Sequence, residues 1–239
     1  MTAHVPARPG LLASVATLDE MRVALAAGVD IVDLKNPSEG ALGAWAPGTL
    51  SEAAALWRAA GAPGSLSATV GDHPLEPDVL RTAAARTAAT GVPLVKIGFA
   101  LGNGSGLPAV LDALRPLARE TRLIAVLFAD QAPDLAAVPL FATAGFHGVM
   151  LDTADKTAGG LLAHLPPETL ARFVAAARAE GLLTGLAGSL KVPDISPLAA
   201  LRPHYLGFRG ALCAEGRTSA LDPARLSAVR DTLAGRILA

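Results

Sequence analysis

The segment IVDLKNP, residues 31–37, begins as an apolar, β-branched run and closes with Asp33, Lys35 and an Asn36-Pro37 stop. A strand sends successive side chains to opposite faces, so Asp33 and Lys35 point the same way. The rest of the run reads as a buried strand. Placing an acid and an amine together at its end points to a strand that carries chemistry to one edge of a sheet.

Outward from this segment, the same pattern repeats about every 30 residues, the length of one βα unit. The strand candidates are LLASVA (11–16), IVDLK (31–35), SLSATVG (65–71) and LVKIG (94–98). LIAVLFA (123–129), GVMLDT (148–153), LLTGLAG (182–188) and YLGFRG (205–210) complete the set. Ala/Leu/Arg segments of helical period fall between them and after the last. TLDE (17–20) and TLSE (49–52) fit the capping box, in which a hydroxyl and a Glu satisfy backbone donors reciprocally. Asp222-Pro223 and Ser196-Pro197 place an N-cap residue before a proline at the first helical position. Gly28, Gly61, Gly91, Gly145 and Gly181 stand where helices end in a left-handed residue. Eight such alternations imply parallel strands and a (β/α)8 TIM-type barrel as a single domain over residues 1–239. A doubly wound sheet ranks second, because no Gly-rich dinucleotide loop follows the first strand.

Composition narrows the function classes. Of 239 residues, 51% are apolar, yet no run reaches the ~18 uninterrupted apolar residues that a spanning helix needs. The N-terminal region does not read as an export signal, so a cytoplasmic protein is expected. Net charge is −1 without basic or acidic blocks, which argues against nucleic acid or membrane partners. Cys213 is the single cysteine and the five histidines are scattered, so neither a metal site nor a cofactor is expected. The histidines read as surface or loop residues. A homo-oligomer is expected on general grounds.

Lysine placement is the strongest chemical signal. Only four of 20 basic residues are lysine, namely Lys35, Lys96, Lys156 and Lys191. All four fall at or just beyond the C-terminal ends of predicted strands, while the predicted helices carry arginine instead. In a barrel these strand ends converge on the catalytic face. Arginine cannot act as an amine nucleophile, whereas a lysine amine can form a Schiff base with a carbonyl. Asp33 and Asp152 are the acid/base candidates, and Lys156 would share a face with Asp152 if DTADK opens as a helical turn. The loops AGSLKVPD (187–194) and GFRGALC (207–213) read as a phosphate site, with Gly188, Ser189, Lys191, Arg209 and Gly210 as its donors. GNGSG (102–106) is a further small-residue loop.

DLKNPSEGALGA (33–44), SATVGD (67–72), VKIGF (95–99), MLDTADK (150–156) and AGSL (187–190) together resemble the (5-formylfuran-3-yl)methyl phosphate synthases. The match runs in order through most of the chain. The resemblance implies a barrel that condenses two glyceraldehyde 3-phosphate molecules, with loss of phosphate and water. The product would be a furan precursor of methanofuran-type cofactors. It also implies a Schiff-base lysine at Lys35, a proton-transferring lysine at Lys96, and active-site roles for Asp33, Asp152 and Lys156. Asn36, in the same motif, is a substrate-binding candidate. The alternatives are another Schiff-base phosphosugar aldolase of this fold, a sugar-phosphate isomerase, and a non-catalytic phosphometabolite-binding barrel.

Overall fold

The computed structural model describes residues 8–62, 64–100 and 106–235. Eight strands pair in parallel, each with its successor, and the last returns to the first to close a barrel. They are β1 (Gly10–Val15), β2 (Ile31–Leu34), β3 (Ser65–Thr69), β4 (Leu94–Phe99), β5 (Arg122–Phe128), β6 (Gly148–Asp152), β7 (Leu183–Leu186) and β8 (Tyr205–Phe208). All eight lie within two residues of the expected boundaries. The helices are α1 (Leu18–Ala26), α2 (Pro47–Ala59), α3 (Pro77–Ala88), α4 (Leu107–Ala118), α5 (Val138–Thr143), α6 (Leu161–His164), α7 (Pro167–Ala179), α8 (Ile195–Ala200) and α9 (Pro223–Leu233). Every crossover between consecutive strands contains at least one of them, as parallel pairing requires. Among the described residues, no helix is long and apolar enough to cross a membrane.

The period of two divides the interior into layers. In β4, Val95, Ile97 and Phe99 face the helices, while Leu94 and Lys96 face the barrel axis. In β6, Val149 and Leu151 pack outward, while Met150 and Asp152 point in. The inner layer is apolar through Leu12, Ile31, Leu94, Ile124 and Tyr205. Gly185 makes room there, since a Cβ on it would lie 2.3 Å from the Tyr205 ring. The barrel's inner layer is thus filled by side chains, and its polar groups sit at the inward positions of a few strands.

Of the four expected caps, Asp222 holds, Thr17 holds as an N-cap without closing its box, and two move. Thr17 accepts from Glu20 N, and Asp222 accepts from Ala224 N and Arg225 N. Glu20 does not return a bond to Thr17, because its carboxylate takes Ala16 N and the Arg209 guanidinium instead. Helix α2 starts at Pro47 with Ala46 as N-cap, so Thr49 and Glu52 lie inside it. Proline at the first position pre-sets the helical φ and advances the start. Helix α8 begins at Ile195 after a 3-10 turn, which leaves Ser196 and Pro197 within its first turn, where no intrahelical N–H bond is needed. The five glycines expected after helices all take positive φ. His204 lies in the loop before β8, within the expectation of surface or loop histidines, but it is buried there, and its Nδ1 accepts from Thr184 N. His4 lies outside the described residues.

Candidate active site

Strand β2 carries Asp33 inward, and Lys35 follows one residue past the strand's last paired position. The register sets Ser14 of β1 and Ser67 of β3 level with Asp33 on either side. Both hydroxyls donate to it, at 2.8 and 2.6 Å, and Lys96 Nζ donates at 3.0 Å. Strand β4 runs on to Phe99, so Lys96 is mid-strand and deep in the barrel rather than at the strand's end.

Strand β6 ends on Asp152, whose Oδ1 accepts from Thr153 N at 2.8 Å and from Lys156 Nζ at 2.5 Å. Lys156 reaches it through an irregular loop, not the helical turn expected from DTADK. Asp130, just beyond β5, shapes that loop by accepting from Ala154 N and Asp155 N. Lys35 Nζ stands 3.6 Å from Asp152 Oδ2, an ion pair longer than a hydrogen bond. Three amines and two carboxylates therefore converge at one end of the barrel.

The electrostatics follow from this crowding. Burial works to raise the Asp33 pKa, but Lys96 and Lys35 outweigh it and hold the carboxyl below its ordinary range. Asp152 is also held below its ordinary range, again against burial, because Lys156 and Lys35 flank it. Burial draws Lys96 below the ordinary lysine value despite Asp33, with Lys35 adding repulsion. Lys156 is lowered in the same way, by burial first and by Lys35, against Asp152. The site thus holds charged acids beside amines that release protons more readily than in water.

A cavity of about 590 Å³ opens above these groups, within the range of small-molecule sites. Lys35, Lys96, Asp152 and Lys156 line its floor, and Gly188, Ser189, Lys191 and Gly210 line its wall and rim. Gly188 takes φ 110° and a Cβ there would meet Thr153 at 3.0 Å, so this turn demands glycine. Ser189 beside it is also left-handed, at φ 49°. Lys191 is exposed at the rim.

Two expected ligand-binding groups are otherwise engaged. Arg209 lines the cavity wall, but its five N–H groups all meet protein oxygens: Arg217 O, Ser14 O, Ser219 O and both oxygens of Glu20. That leaves no donor for a phosphate. Asn36 is absent from the cavity lining, and its Oδ1 accepts from Ser38 N to close a tight turn. Residues 102–105 of the GNGSG loop lie outside the described residues.

Sequence reasoning passed over Ser14, Ser67, Asp130 and Arg217. The serines could have been found as polar residues at inward-phase positions of apolar strands. Asp130 lies just beyond β5, and Arg217, which also lines the cavity, lies on the loop after β8, where periodicity carries no signal. Among the described residues, no group of three or more His, Cys, Asp or Glu side chains is placed to hold a metal ion.

Comparison with known proteins agrees with this layout. The family described as 4-HFC-P synthase matches residues 11–230. A Methylorubrum extorquens protein, provisionally assigned as a (5-formylfuran-3-yl)methyl phosphate synthase, is 42% identical over 222 residues, covering 92% of this chain and 90% of its own. The (5-formylfuran-3-yl)methyl phosphate synthase of Methanococcus aeolicus is 34% identical, covering 86% of this chain and 91% of its own. Among solved structures, phosphoribosyl anthranilate isomerase from Thermus thermophilus superposes with a TM-score of 0.64 at 17% identity, over 95% of this chain and all of its own. KGPDC from Streptococcus mutans gives 0.63 at 14%, over 97% and 99%. At such identities the structural matches speak for the fold alone.

Proposed function

The chain belongs to the 4-HFC-P synthase family, and from that membership we propose that it condenses two molecules of glyceraldehyde 3-phosphate into (5-formylfuran-3-yl)methyl phosphate. The observation that carries the mechanism is the meeting of Lys35, Lys96 and Lys156 with Asp33 and Asp152 under one cavity. Lys96 and Lys156 are each hydrogen-bonded to a carboxylate, whereas Lys35 has only the longer contact to Asp152. Its amine is the one least tied down and so the best placed to attack.

In this reading Lys35 adds to the carbonyl of one triose phosphate, after isomerisation to the ketone form, and water leaves to give an imine. Imine formation acidifies the neighbouring C–H bond. Lys96, lowered by burial and fixed by Asp33, takes that proton and leaves an enamine. The enamine carbon attacks the aldehyde of the second triose phosphate and forms the new carbon–carbon bond. Phosphate elimination, ring closure, cleavage of the C–N bond that frees Lys35, and loss of water complete the furan. Lys156, held by the charged Asp152 carboxylate, passes protons to the oxygens that leave. The turn at 188–190 and the loop at Gly210 offer backbone donors to a phosphate, whereas Lys191 N is taken by Asp194.

The test is product formation from one substrate. Purified protein given glyceraldehyde 3-phosphate alone should generate the ultraviolet absorbance of a conjugated furan aldehyde, together with inorganic phosphate. Consumption of the triose without that chromophore would assign a different aldol reaction.

A further inference from the structure

The charges around the cavity leave one recognition problem open. Asp33 and Asp152 answer two of the three buried amines, and Arg209 is answered by Glu20. A substrate carrying a phosphate dianion needs cations beyond these. The cavity lining supplies Lys191, Arg217 and Arg225. Arg225 is exposed and leans toward Asp222 at 3.8 Å. Arg217 is different, because it is half-buried and lies close enough to Asp152 and Lys156 for their charges to act on it.

Arg217 is also held from both sides. Its Nη2 donates to Gly40 O at 3.0 Å, which ties the loop after β8 to the loop after β2 over the end of the intervening β1. Its carbonyl accepts from Arg209 Nε at 2.8 Å, and Arg209 Nη2 fixes Ser219 O two residues on. Glu20 in turn accepts from Leu221 N. The buried Arg209–Glu20 pair is therefore the anchor of a loop whose tip presents a guanidinium to the cavity. Among the described residues, Gly40 O is the one acceptor its side chain meets. The other N–H groups of the planar fork suit a phosphate oxygen pair.

We propose that Arg217 binds the phosphate monoester of the substrate and sets the preference for phosphorylated over unphosphorylated aldehydes, with Arg209 as the residue that positions it. This rests on the triose-phosphate reading for the identity of the substrate but not for the phosphate chemistry.

The test uses inorganic phosphate as probe, measured by titration calorimetry on the intact protein, alongside steady-state kinetics. Arg217→Gln should weaken phosphate binding about tenfold or more, the loss expected for one charge-assisted hydrogen bond. It should raise KM for glyceraldehyde 3-phosphate more than it lowers kcat, and the preference over plain glyceraldehyde should shrink by a similar factor. Arg217→Lys, which keeps the charge but not the fork, should fall between, and it carries the test if the glutamine variant does not fold. Phosphate affinity and aldehyde preference unchanged in a folded variant would overturn the assignment. A wild-type protein that binds phosphate through Arg217 yet makes no furan would leave this inference standing and remove the proposed reaction.

Discussion

Two buried clusters of opposite charges lie a few residues apart in this barrel, and they are built to opposite specifications. In the Arg209–Glu20 pair every guanidinium N–H has an oxygen, and Glu20 also takes the backbone donors of Ala16 and Leu221. In the lysine cluster three amines share two carboxylates, and Lys35 is left at 3.6 Å from its partner beneath a cavity. The first cluster is saturated, so it fixes a loop and can do nothing else. The second is under-saturated, so a ligand can complete it. Degree of saturation, not charge or burial, separates the structural cluster from the one proposed to react.

The sharpest way to break that contrast is to swap the two side-chain types. Lys35→Arg keeps a cation beside Asp152 but removes the amine. Furan formation should fall by roughly 10⁴-fold or more, the loss typical of a missing nucleophile. The melting temperature should move little, and a variant that still turns over would make Lys35 an electrostatic clamp. Lys96→Met should cost about 10²- to 10⁴-fold in kcat, the range for a lost proton carrier. It should also cost about 3 kcal/mol of stability, because Asp33 loses its nearest cation. Single-turnover rates and chemical denaturation would read the two effects separately.

Glu20→Gln addresses the saturated cluster. Leaving Arg209 buried without its carboxylate should cost about 3 kcal/mol of unfolding free energy in denaturant titrations. Its kcat should fall far less than that of the lysine variants, and equal losses would erase the distinction between the clusters. Stability should also depend on pH in a defined sense. Glu20, Asp33 and Asp152 have folded pKa values below their ordinary 4.5 and 3.8, so the native state binds fewer protons there than the unfolded chain. Their contribution is complete above that range and is lost as pH falls through it. Lys96 and Lys156 are lowered from 10.5, so stability should rise as pH climbs toward that value. Melting temperatures across pH would show both slopes, and Glu20→Gln should flatten the acid one. The smallest effect expected is from Thr17→Ala, about 1 kcal/mol for the lost cap of α1.

The fold was legible because it is local. Each strand announces itself by apolar alternation bounded by turns, and each crossover by a helical period. The inward phase of IVDLK and LVKIG was enough to aim Asp33, Lys35 and Lys96 at one another. Loop geometry was not legible. DTADK could not reveal that an irregular turn gripped by Asp130 brings Lys156 back to Asp152. Nor could GFRGALC reveal which arginine is spent, because the partner of Arg209 is Glu20, 189 residues away. An arginine looks the same in sequence whether its fork is full or free. TLDE misled for the same reason, since that distant guanidinium claims the carboxylate expected to close the capping box.

Borohydride reduction in the presence of glyceraldehyde 3-phosphate, followed by peptide mass mapping, decides whether Lys35 carries the imine. A stable triose adduct should form on Lys35, absent without substrate and absent in Lys35→Arg. An adduct on another lysine, or none at all during active turnover, would contradict an imine at Lys35.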